Sequence, residues 1–140
     1  MNHLLNSSAA TRTALQSAVS EVGACTDLSS AVGQIQAAVN QRSTEYSQAS
    51  ALSTSALADG GTVKADLTAA LRSSLAADRD YLSWAQLQLT QGCVPAAQSS
   101  AYNAANEADQ QANAAKEAFV QVWNPVAARY GIQQESASSI

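Results

Sequence analysis

Only one Phe and three Ile occur among 140 residues, and six Gly and two Pro leave few breakers. Strands draw on β-branched and aromatic side chains, so β-propensity is low and a sandwich or barrel is excluded. Collagen would need glycine at every third position. No apolar run approaches the ~20 residues that cross a bilayer, which excludes a transmembrane bundle. Seven basic residues stand against eleven acidic ones, for a net charge of −4. Arg12, Arg42, Lys64, Arg72, Arg79, Lys116 and Arg129 are scattered, so no stripe of cations exists to neutralise phosphates, and nucleic acid is not an expected partner.

The chemistry of catalysis is equally thin. The one histidine, His3, sits near a chain end, where no Ser-His-Asp or Cys-His arrangement can be assembled around it. No Glu-x-x-His occurs, which excludes a di-iron bundle. Gly60-Gly61 lacks the following Lys-Ser/Thr of a phosphate loop. Asp78 and Asp80 are two apart, and on a helix they face different ways. Cys25 and Cys93 belong to no Cys-x-x-Cys pair, so zinc and thioredoxin chemistry are unsupported. Asn6-Ser7-Ser8 matches a glycosylation sequon, a motif short enough to arise by chance. The chain is expected to be no enzyme and to use no cofactor or metal.

What is abundant is Ala (31), Ser (19) and Gln (14), nearly half the chain. This composition favours helix. Leu, Ile, Val and Phe total only 25. Alanine must therefore supply the remaining apolar surface, which works only where helices approach closely.

Four stretches carry helical apolar spacing. The first, about Leu4 to Ala24, has the stripe Leu4, Ser8, Thr11, Leu15, Ala18, Val22 and Cys25, with Thr26 or Asp27 as a cap for the next helix. The second, about Leu28 to Ser53, has Leu28, Val32, Ile35, Val39, Arg42, Tyr46 and Ala49. Asp59-Gly60-Gly61-Thr62 is the clearest break. The third, about Val63 to Gln91, has Leu67, Leu71, Ser74 with Leu75, Asp78, Leu82, Ala85 and Leu89. The fourth, about Ala96 to Tyr130, has Ala97, Ala101, Ala104, Ala108, Ala112, Ala115, Phe119, Val122, Val126 and Tyr130. Pro125 should kink it or start a fresh turn with Asn124 as cap, and Gly131 should end it.

These segments predict an all-α fold, an antiparallel up-down-up-down four-helix bundle over residues 1–132, with 133–140 as a flexible polar tail. A dimer of long hairpins and an elongated three-helix array with a loosely docked first helix are the alternatives. In the bundle the first and third helices run parallel, so their C-terminal ends share one end of the rod. Cys25 closes the first and Cys93 the third, which predicts a Cys25–Cys93 disulfide and hence export. The bridge closes a long loop and is worth up to roughly 4 kcal/mol on chain-entropy grounds.

Two charges occupy interior positions. Folding back about Gly60-Gly61 sets Arg42 and Asp78, each about 18 residues from the turn, level with each other. An ion pair at mid-bundle follows, either a device fixing helix register or part of a charged ligand site with Tyr46 and Tyr81. Tyr81 and Trp84 come level with Ala101, Ala104 and Ala105 across Pro95, so rings fill space left by small residues or line a ligand pocket. Phe119 and Trp123, beside Pro125, read likewise.

Two blocks carry a resemblance. One is Ala65-Asp66-Leu67-Thr68-Ala69-Ala70-Leu71, then Asp78, Tyr81-Leu82, Trp84 and Cys93. The other is Ala114-Ala115-Lys116, Phe119-Val120, then Trp123-Asn124-Pro125-Val126-Ala127-Ala128-Arg129-Tyr130-Gly131. They carry a resemblance, extending over most of the chain, to helical extracytoplasmic domains of membrane-anchored actinobacterial proteins, some linked to cytoplasmic serine/threonine kinases. The resemblance implies a disulfide-bonded ectodomain and brings no catalytic residue. The expected function is thus a non-catalytic sensor or interaction domain at the extracytoplasmic face or cell wall, its partner an unknown protein or small molecule. Any membrane attachment would run through a tether outside these residues. Two alternatives stand beside it: a small-molecule sensor with an inter-helix pocket near Arg42 and Asp78, and a self-associating helical module such as a homodimer.

Overall fold

Alanine-rich segments with apolar spacing form helices wherever a stop signal does not intervene, and the computed structural model, which describes residues 1–140, contains four long ones. They are α1 (Asn2–Gly23), α2 (Leu28–Ala51), α3 (Gly60–Gln91) and α4 (Ser100–Tyr130). Single 3-10 turns cover Ala96–Gln98 and Ala137–Ser139, and there is no strand. The protein is an all-α four-helix bundle with a Cys25–Cys93 disulfide, the two Cα atoms 5.9 Å apart.

Local chemistry sets most boundaries. Asp59 takes a left-handed conformation (φ 54°) and α3 starts at Gly60, inside the expected Asp59-Gly60-Gly61-Thr62 break and ahead of the expected start near Val63. A Cβ on Gly60 would overlap the Thr54 carbonyl, so only glycine fits there. Ser99 caps α4, its hydroxyl accepting from the Tyr102 N–H at 3.3 Å. Gly131 (φ 64°) ends α4 in a Schellman motif, the Ile132 N–H donating to the Ala127 carbonyl and the Gly131 N–H to Ala128. The cap expected before α2 is different. Asp27 makes no side-chain cap bond, and the Thr26 hydroxyl instead donates to the Glu21 carbonyl behind it. The fresh turn expected at Pro125 does not form either, since α4 runs through the proline.

α1 packs on α2, α2 on α3 and α3 on α4, whereas α1 and α4 barely approach. The missing contact between the outer pair leaves a seam. One end of that seam is filled by residues 133–140. Their polar composition predicts a loose tail, yet they lie against the bundle: Ile140 is fully buried among Leu4, Leu5, Phe119 and Trp123. Asn124, rather than capping a new turn, holds this segment through Nδ2 to the Glu135 carbonyl (2.9 Å), with the Glu135 N–H donating to Oδ1 (2.8 Å). Arg12 Nη1 donates to the Ala137 carbonyl at 2.7 Å. One buried isoleucine and these backbone partners outweigh a hydrophilic composition.

The core is divided in two. Near the Gly60 turn, Leu4, Leu5, Val63, Leu67, Leu71, Phe119, Trp123 and Ile140 form one cluster. Near the disulfide, Leu15, Ala18, Val22, Ile35, Tyr81, Trp84 and Ala105 form the other. A layer of buried polar side chains separates them: Ser8, Thr11, Arg42, Glu45, Ser74, Asp78 and Lys116.

The stripe expected for α1 is buried from Leu4 to Val22, with Cys25 exposed beyond the helix end, and on α2 Ile35, Val39, Arg42 and Ala49 of the expected stripe are buried. Two others are displaced. On α4 the buried residues are Ala105, Ala112, Lys116, Phe119, Trp123, Val126 and Ala127, about one position on from the expected stripe, and Ala104 and Tyr130 are exposed. At the end of α3, Tyr81, Trp84, Ala85 and Gln88 turn inward while Leu89 is 44% exposed. The rings occupy more of the narrow interior than leucine would, and the helix rotates to seat them.

Candidate functional site

The polar layer is built around Arg42. Its Nε donates to Asp78 Oδ2 at 3.2 Å and its Nη1 to Glu45 Oε2 at 3.1 Å, one turn away on α2. Nη1 also bonds Ser8 Oγ on α1. Glu45 is itself saturated, with Oε1 accepting from Ser7 Oγ (2.7 Å), Thr11 Oγ1 (2.8 Å) and Gln41 Nε2 (3.4 Å). Arg42, Glu45 and Asp78 are all buried. Such charges persist only when paired and hydrogen-bonded. The helix spacing that placed Ser8 and Thr11 on the inward face of α1 supplies the hydroxyls that do this.

Lys116 lies in the same layer and is not paired. It is 3% exposed, and the only two ion pairs in the protein both belong to Arg42. Burial pushes its ammonium down to about 8, with Arg12 and Arg42 adding repulsion, against weaker attraction from Asp109 and Asp78. Burial likewise raises the Asp78 carboxyl above its ordinary 3.8, although Arg42 opposes the shift. Tyr81 is raised to about 12, chiefly by burial and then by Asp109, so its hydroxyl keeps its proton at any physiological pH.

Above the layer, toward the disulfide, the α1–α4 seam is open. A cavity of about 490 Å³ lies there, within the size range of small-molecule sites. Arg12, Leu15 and Val19 of α1 form one side, Tyr102, Asp109 and Lys116 of α4 the other, and Ser74, Asp78, Tyr81 and Trp84 of α3 the floor. Arg42 reaches the lining from α2. Two further polar atoms here are buried without a partner, Ser74 Oγ and Trp84 Nε1. The aromatic wall is interlocked, with Trp84 and Tyr102 centroids 4.9 Å apart and Tyr81 6.1 Å from Tyr102, all edge-to-face.

Of the residues singled out by sequence, Arg42, Asp78, Tyr81 and Trp84 meet at this cavity. Tyr46 does not. It is half-buried against the cluster near the Gly60 turn, because the Arg42 rotation gives Glu45 the inward place. Phe119 and Trp123 stack at 6.1 Å in that same distant cluster and line no part of the cavity. Cys25 and Cys93 tie the bundle end beyond it. Sequence reasoning missed Glu45, Arg12, Tyr102, Asp109 and Lys116. Glu45 was within reach, being three residues from an interior arginine on the same helix. Lys116 was also within reach, standing at four- and three-residue steps between Ala112 and Phe119.

No cluster of three His, Cys, Asp or Glu side chains is present to hold a metal ion, and no helix is long and apolar enough to cross a membrane. No protein-family model, curated protein or solved structure matches the chain.

Proposed function

We propose that the protein is a non-catalytic extracytoplasmic bundle domain of a membrane-anchored protein, and that it binds a small molecule in the α1–α4 seam. One observation carries the binding role. The seam is not closed by helix packing, and its walls hold an indole N–H and a hydroxyl buried without a partner, beside a buried lysine that forms no ion pair. Buried polar groups without partners cost free energy, so a cavity that holds two of the protein's four such atoms beside an unpaired lysine is suited to an occupant that completes them. The sensor reading with a pocket near Arg42 and Asp78 is thereby favoured over a self-associating rod. The disulfide supports the extracytoplasmic compartment, and the resemblance supports the anchored context.

Titration of the purified domain with a fragment library, followed by amide and indole NMR shifts, tests the binding role. The expected result is that some compounds shift the Trp84 indole N–H and the backbone around Lys116 and leave Trp123 in place. Absence of any compound acting at the seam would remove the proposal. For the compartment, thiols are counted in protein taken from its native host and denatured without reductant. No reactive thiol is expected, and two would overturn the assignment to the cell exterior.

A further inference from the structure

The unpartnered groups of the cavity are all hydrogen-bond donors or cations. Lys116 brings three N–H donors and forms no ion pair, Trp84 Nε1 is donor-only and unpartnered, and the unpartnered Ser74 Oγ can donate. Tyr81 keeps its proton and adds a hydroxyl. Arg12, on the α1 side, donates to the Ala137 carbonyl and weakly to the main-chain oxygen of Ile140. On the acceptor side, Asp78 is engaged by Arg42, and Asp109 accepts from Asn113 Nδ2 at 3.3 Å. Arg42 is neutralised by Asp78 and by Glu45 behind it, which leaves Lys116 as a cation of the lining with no ion pair, beside Asp109. One negative charge pairs with that ammonium, whereas a dianion would meet Asp78 and Asp109. The remaining surface is apolar and aromatic, made of Leu15, Val19 and the Trp84 and Tyr102 rings.

Resting on the small-molecule reading above, we infer that the seam cavity takes an amphiphilic monocarboxylate. Its carboxylate is held between Lys116 and Arg12, with Ser74 as a further donor. Its aliphatic or aromatic body lies on Trp84, Tyr102, Leu15 and Val19. The carboxylate supplies acceptors for groups that otherwise have none, and the bound anion keeps Lys116 charged. The groups facing that ammonium from the surrounding helices are Arg12 of α1, Arg42 of α2, Asp78 and Tyr81 of α3, and Asp109 of α4.

Four probes separate charge from body: 3-phenylpropionate, its neutral amide, 3-phenylpropylamine, and acetate. Calorimetry with the intact disulfide-bonded domain should show the aromatic carboxylate binding roughly tenfold or more tighter than the amide, with the amine weaker still. Acetate should be weaker than phenylpropionate, showing that the apolar wall contributes. In Lys116→Met the preference for carboxylate over amide should fall to within about twofold while the amide still binds. Arg12→Gln provides the same comparison should Lys116→Met not fold. Amide or amine binding as tightly as the carboxylate, with shifts at Trp84, overturns the charge assignment and leaves the binding cavity standing. So does a carboxylate preference unchanged in both variants. Silence from these probes together with the fragment library overturns both readings.

Discussion

The two ends of the α1–α4 seam solve one problem with different residues. Toward the Gly60 turn, α4 presents Phe119, Trp123 and Val126, and Ile140 of the returning tail fills what the helices leave. That end is apolar and closed. Toward the disulfide, α4 presents Ala105 and Ala112, and the rings of Trp84 and Tyr102 only partly replace the missing volume. That end stays open, and its floor is polar. The lesson is that a bundle can be stable and hollow at once if one half supplies the burial and a covalent bridge holds the other half. The disulfide sits at the open end, where packing is least able to keep α1 and α3 together.

The sharpest way to break this comparison is to remove the layer that separates the halves. Arg42→Ala would leave Glu45 and Asp78 buried and unpaired, and should lower stability by about 3–5 kcal/mol in urea denaturation. A smaller loss would mean that water reaches the layer.

Lys116→Met should act in the opposite direction. The ammonium is depressed from 10.5 to about 8 in the folded state, so folding carries a penalty whenever the lysine is protonated in the unfolded chain. At pH 7 that penalty is roughly 3 kcal/mol, at 1.36 kcal/mol per unit. It shrinks as pH rises from 8 to 10.5 and vanishes above, so this group makes stability increase across that window. The methionine variant should be more stable at pH 7 and lack the increase, as measured by denaturation midpoints from pH 7 to 11. Equal midpoints at pH 7 would show that Lys116 has a partner.

The closed end is tested by Ile140→Ala. Truncating a fully buried isoleucine should cost toward the lower end of roughly 2–5 kcal/mol, because the short segment it anchors can re-seat. The smallest effect is expected from Ser74→Ala. Its hydroxyl has no partner, so stability should change by less than about 1 kcal/mol, or rise. A larger loss would place a bridging water on that oxygen.

Much of this molecule could be read in one dimension. The stripe of α1 is legible because Leu4, Leu15 and Val22 stand among polar neighbours, and Arg42 faces Asp78 because both are equally far from the Gly60 turn. The fourth helix was not legible in the same way. Alanine occupies positions 101, 104, 105, 108, 112, 114 and 115, so hydrophobicity scarcely changes as that helix rotates. The expected stripe and the actual one differ by about one residue, and that difference carries Lys116 from the rim to the interior. The tail was missed for a related reason. Seven of its eight residues are polar or small, and the one that decides its position is Ile140.

The order of the helices, their ends and the meeting of Cys25 with Cys93 belong to the chain itself, because turn chemistry and antiparallel folding fix position along the rod. Rotation about each helix axis and the width of the gap between the outer pair belong to the assembled bundle. Those depend on competing side-chain volumes from three neighbours at once, a quantity no periodicity in a single strand of letters contains.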